Sequence, residues 1–166
     1  MQHDALFPAI AEIGATIAGF SGVIALFRRG TTPSESDPEV FTVRDVVRIS
    51  LMVAAFALLP FVPDGLDLGG TAVWRVCSLL LAVFVLLGMV ASLREVRREH
   101  GIRTLRENPV PPWILLPIVV VIELLLCANA LAYSPKYAAT FYLAALLLLL
   151  VLAGLFFLTL LVPPRR

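Results

Sequence analysis

The chain has almost no charge inside its five longest apolar stretches, and this absence excludes a soluble fold. Sixty per cent of the residues are apolar and 15% are charged, with a mean hydropathy of +0.94. A soluble domain carries about 45–50% apolar and about 25% charged residues. No polar stretch is long enough for a domain either, since the longest is the Arg28–Arg48 connection. Histidine is scarce: His3 and His100 both lie outside the apolar runs. There are two cysteines, Cys77 and Cys127, and one lysine, Lys136. These residues form no metal-ligand cluster, no phosphate-binding glycine loop and no nucleophile–base pair. No metal, no cofactor and no enzyme activity is therefore expected.

What fills the chain is membrane-length apolar sequence. A helical span needs about 20 mostly apolar residues to cross about 30 Å of hydrocarbon. Five segments meet or approach this: residues 5–27, 41–62, 71–93, 113–132 and 138–162. The first holds Glu12, the third Arg75 near its start, the fourth Glu123, and the fifth no charge at all. The leader Met1-Gln2-His3-Asp4 lacks the basic region of a secretory signal, and the run after it is too long for one. The predicted fold class is all-α: a polytopic membrane helix bundle, a single membrane domain over 1–166 with five transmembrane helices.

Arginine gives the orientation. Arg28, Arg29, Arg44 and Arg48 follow the first segment, Arg94, Arg97, Arg98, Arg103 and Arg106 follow the third, and Arg165 and Arg166 end the chain. Only Arg75 and Lys136 fall on the other side, so eleven basic residues oppose two. The positive-inside rule, reliable in short loops, then places the N-terminus outside and the C-terminus in the cytoplasm of an inner-membrane protein. The second segment is short, since Ile49–Val62 is its only uncharged part. Omitting it leaves four spans and forces one of the two large arginine groups outside, against the same rule. Asp37-Pro38 reads as a helix N-cap followed by proline at the first helical position. The third helix is expected to run on through Arg94–Glu99 and stop near Gly101. The few residues around Tyr133–Tyr137 make the fourth and fifth spans antiparallel neighbours.

The spans differ in character. The fifth is leucine-rich and is expected to face lipid. The first places Ala11, Gly14, Ala15, Ala18, Gly19, Ser21, Gly22 and Ala25 around most of its circumference. Small residues let helix backbones approach and drive association in lipid, so this helix is expected at the bundle centre or at a contact between protomers. Within it, Gly19-Phe20-Ser21-Gly22 resembles the GxSG form around the nucleophile of rhomboid proteases. The resemblance covers four residues. It implies a serine activated by an intramembrane histidine, and both histidines of this chain lie outside the core. Ser21 is therefore expected to pack rather than react.

Glu12 and Glu123 are the acids deep in apolar runs. A charge at the bilayer centre costs about 2.5–3.5 kcal/mol on insertion scales, so such groups persist when paired, protonated or facing water. Glu12 lies seven residues from Ala5 and Glu123 nine from Ala132. At about 1.5 Å per residue these are depths of about 10 and 13 Å from one face, so both acids are expected in one layer. Arg75 is a possible charge partner nearer that face, and Asn129 lies in the same half. Glu12, Thr16 and Gly19 follow one another at i, i+4 and i+7 and form a polar or small stripe. Two uses are open. The carboxylates could interact with ions or protons, with Thr16 and Asn129. They could instead clamp the bundle by bonding Arg75, Asn129 or a hydroxyl. Cys77 and Cys127 lie at similar depth and are expected as buried free thiols, since a disulfide needs Cα atoms within about 7 Å. The Arg94–Arg106 group is expected to face lipid headgroups, diluted by its acids.

The leading function is a homo-oligomeric, channel-like or ion- or proton-translocating membrane protein. The alternative is a non-catalytic accessory or scaffold subunit that packs against another membrane protein. The expected partners are the lipid bilayer and a second membrane protein or copy, with no nucleic acid.

Overall fold

In the computed structural model the described residues are 5–28, 38–62, 70–99, 112–131 and 135–161. They form five helices: α1 (Leu6–Arg28), α2 (Pro38–Leu58), α3 (Gly70–Glu99), α4 (Pro112–Ala130) and α5 (Ala138–Leu161). Short 3-10 turns cover Leu59–Phe61 and Pro135–Tyr137. The regular structure of the described residues is all helical, as the apolar runs predict. Helix α2 opens on Pro38, whose missing N–H costs nothing in the first turn. Helix α3 is 30 residues long and reaches Glu99, as expected. Pro117 lies inside α4 and removes the N–H that would bond the Trp113 carbonyl.

Three helices are long and apolar enough to cross a membrane: Leu6–Phe27, Ala72–Ala91 and Ala138–Thr159. Ile114–Ala130 is a shorter apolar helix. Exposed side chains on the long helices are themselves large and apolar, including Phe20, Leu26 and Phe27 on α1 and Leu79, Phe84 and Leu87 on α3. Apolar surface this continuous is what lipid, and not water, would cover. Membrane association follows from length, composition and surface together.

The chain divides into two compact units. One contains residues 1–58 and 146–166, the other residues 59–145. In the first, α1 packs against α2. Phe7, Ile10, Ala11, Gly14, Ala18 and Ser21 are buried on α1, and Val46, Ser50, Val53 and Ala57 on α2. Apart from the adjacent pair Ile10 and Ala11, both series step by threes and fours, the spacing of one helix face. The backbones meet at Gly14, where an added Cβ would sit 2.8 Å from the Ser50 carbonyl oxygen. The small residue is therefore a steric requirement of this contact.

In the second unit, α3 packs against α4 and against the Leu59–Phe61 turn. Val73, Cys77, Leu81 and Val85 of α3 are buried, as are Ile122 and Leu126 of α4. The first half of α5 joins them through Trp74 and Tyr142, whose ring centroids are 5.8 Å apart and tilted by 58°. That tilted geometry is favoured by the ring quadrupoles.

Helix α5 exposes Leu147, Val151, Leu158 and Leu161, and it also carries a buried stripe. Leucine-rich α5 is the most buried of the three long helices, at 39% of its apolar window against 28% for α1. The reason is its pattern. Ala138, Tyr142, Ala145, Leu149 and Leu152 recur every three or four residues, and all are buried. A leucine-rich helix contains a packing stripe wherever small and large residues alternate at that period.

Candidate functional site

The polar side chains inside the apolar helices separate into bonded and unbonded groups. Asn129 is bonded. It is 3% exposed, and its amide donates to the Ser78 hydroxyl at 2.7 Å and to the Ala138 carbonyl at 2.9 Å. One side chain thus ties α4 to α3 and to the start of α5. In an apolar medium such bonds have no competing water, so they hold register. Ser78 was not legible as a partner, because a lone serine in an apolar run ordinarily bonds its own helix.

The hydroxyls of α1 follow that ordinary pattern. Thr16 donates to the Glu12 carbonyl at 2.7 Å, and Ser21 donates to the Ile17 carbonyl at 2.7 Å. Ser21 is fully buried. It packs, as expected, with its proton committed to the backbone.

The two carboxylates behave differently from Asn129. Glu12 lies in the first unit, with an exposed side chain. It shares the exposed face of α1 with Ala15, Thr16 and Gly19, so the expected stripe is present on a surface the chain leaves open. Gly19 and Gly22 have nothing within 4 Å of where a Cβ would stand. The small residues of α1 therefore fall into two sets. Ala11, Gly14, Ala18 and Ser21 are buried, while Ala15 and Gly19 are exposed and Gly22 is half-buried.

Glu123 lies in the second unit on α4, between the fully buried Ile122 and exposed Leu124. Its Oε1 is buried and has no hydrogen-bond partner among the described residues. Arg75, the expected charge partner, is exposed on α3, and no ion pair joins it to Glu123 among the described residues. A buried acceptor without a donor is costly, of the order of 1–3 kcal/mol, and calls for a proton, an ion, water or another chain. The Ser50 Oγ of α2 is the other buried side-chain oxygen without a partner among the described residues.

The remaining expected residues are dispersed. Cys77 is buried and Cys127 exposed, both as free thiols, so only Cys77 matches the expectation of burial. Arg94 is exposed near the end of α3, where Arg97 and Arg98 also fall. Arg103 and Arg106 lie outside the described residues, as do His3 and His100. Among the described residues no three His, Cys, Asp or Glu side chains gather as a metal site would require. Lys136 lies 5.6 Å from the centroid of the Tyr137 ring, an exposed cation–π pair in the turn before α5. No known protein family, curated protein or solved structure matches this chain.

Proposed function

We propose that the chain is a multi-pass inner-membrane protein that assembles as a homo-oligomer and moves protons or cations, with Glu12 and Glu123 as the interacting residues. The proposal includes five spans, an outside N-terminus and a cytoplasmic C-terminus, on the ground that eleven of thirteen basic residues then face the cytoplasm. Arg44 and Arg48 at the start of α2 can snorkel to headgroups while the rest of that helix crosses.

The observation that carries the reading is the buried, unbonded Oε1 of Glu123. A clamp would have Arg75, Asn129 or a hydroxyl hold one of the acids, and none is bonded to the Glu123 Oε1 among the described residues. Instead Asn129 is spent on Ser78 and Ala138. The register of the second unit is fixed without a carboxylate, which leaves the carboxylate available for a mobile species. Intramembrane acids that hold no structural bond mark ion and proton paths. Assembly is supported by the open small-residue face of α1, where helices can approach closely.

A second reading uses that same face. If α1 docks onto a different membrane protein, the chain is an accessory subunit, and Glu12 meets a donor on the partner. No catalytic role is proposed in either case.

The test is proton and cation flux into liposomes containing the purified chain, with Glu12→Gln and Glu123→Gln alongside. We expect wild-type flux that falls at least several-fold in a variant of unchanged oligomer size. Absence of flux in wild type, together with copurification of one defined membrane partner, would replace the reading by the accessory one.

A further inference from the structure

The species that Glu123 takes can be narrowed by counting oxygens. Hard cations replace their hydration shell with many ligands: about six for Mg2+, six to eight for Ca2+, and rings of carbonyls for K+. Glu123 offers two oxygens. The neighbouring turns of its own helix place Val119, Val120, Leu126 and Cys127 beside it, and none carries a side-chain oxygen. The backbone carbonyls of α4 are used within the helix around this point. The amide of Asn129 donates elsewhere, to Ser78 and Ala138. The other titratable groups on elements of this unit are Arg75, Cys77, Arg94, Glu95, Arg97, Arg98 and Glu99 on α3, Cys127 on α4, and Lys136, Tyr137 and Tyr142 in and after the 3-10 turn. None is bonded to Oε1 among the described residues. A bare metal ion held by one protomer here would lose most of its ligands.

A proton needs a single oxygen. We propose that Glu123 is a proton-binding site rather than a cation site: its carboxylate takes up one proton from water on one side of the membrane and returns it on the other. The inference rests on the reading of Glu123 as a site for a mobile species. The exchange is balanced, since the carboxylate plus a proton gives the neutral acid and nothing is oxidised or reduced. Neutralisation also removes the cost of a charge in apolar surroundings.

The test uses the full chain in liposomes, read by infrared difference spectroscopy and by flux on the same preparation. We expect a carbonyl band of a protonated carboxylic acid at neutral pH that is lost in Glu123→Gln. Replacing choline by sodium, potassium or calcium should leave it unchanged. If Glu123→Gln fails to fold, Glu123→Asp gives the same answer through a shifted band. An absent band, or one that any of those cations abolishes, overturns the proton assignment. If cation flux nevertheless falls in Glu123→Gln, translocation stands and only the proton assignment fails. If the band is present and neither protons nor cations cross, the proton site stands and translocation fails.

Discussion

Asn129 is held by two hydrogen bonds, to Ser78 and to the Ala138 carbonyl, in a part of the protein where α3, α4 and α5 meet. Intramembrane hydrogen bonds contribute about 0.6 kcal/mol each on average and up to about 1.7. We therefore expect Asn129→Leu to lower stability by about 1–2 kcal/mol in a detergent unfolding titration. Ser78→Ala should cost less, since the bond to Ala138 survives. In the double variant the two effects should fall short of additive, because they share one bond. Equal stability of Asn129→Leu and wild type would show that the contact is incidental. The sequence pointed to Asn129 as a polar residue in the outer half of an apolar run, but it grouped this residue with the acids. What separates them is a long-range contact, 51 positions away in sequence, that no local pattern encodes. Glu123 was legible as an outlier for the same reason as Asn129, and its lack of a partner was not.

At the scale of the helices, α1 was legible as an association helix because of its small residues. Composition could not say which side was already occupied. Gly14 is committed to α2, where a Cβ would stand 2.8 Å from a backbone oxygen that has no flexible end to yield. Gly14→Ala is therefore expected to destabilise the chain by about 1–3 kcal/mol, the usual cost of overpacking. Gly19→Ala and Gly22→Ala should leave the folded monomer unchanged, because open space surrounds both. If the open face of α1 holds protomers together, the same two substitutions should weaken the oligomer. Thermal unfolding in micelles separates the first effect, and cross-linking or light scattering reads the second. An oligomer indifferent to Gly19→Leu would move the contact to another helix. Composition alone did not reveal the buried stripe of α5, which includes Ala138, Tyr142 and Ala145.

For the whole molecule, the helices and their approximate limits were legible because apolar length and turn residues are local signals. Among the described residues only α1, α3 and α5 are long and apolar enough to span by themselves, so the proposed crossing of α2 and α4 rests on charge asymmetry. Single cysteines introduced in a variant lacking Cys77 and Cys127 test it. Asp67→Cys and Ser134→Cys should react with an impermeant thiol reagent from outside, and Thr32→Cys and Thr104→Cys only after permeabilisation. Labelling of Thr32→Cys from outside would overturn the proposed orientation. Under the proposed function Glu123 serves for what it binds and not for what it holds together. The most direct measurement is the unfolding stability of Glu123→Gln, with flux read on the same reconstituted sample. We expect stability equal to or above wild type together with lost flux, because the buried Oε1 of Glu123 has no hydrogen-bond partner to lose among the described residues. A loss of more than about 1 kcal/mol, with flux unchanged per folded molecule, would contradict the claim and make the carboxylate structural.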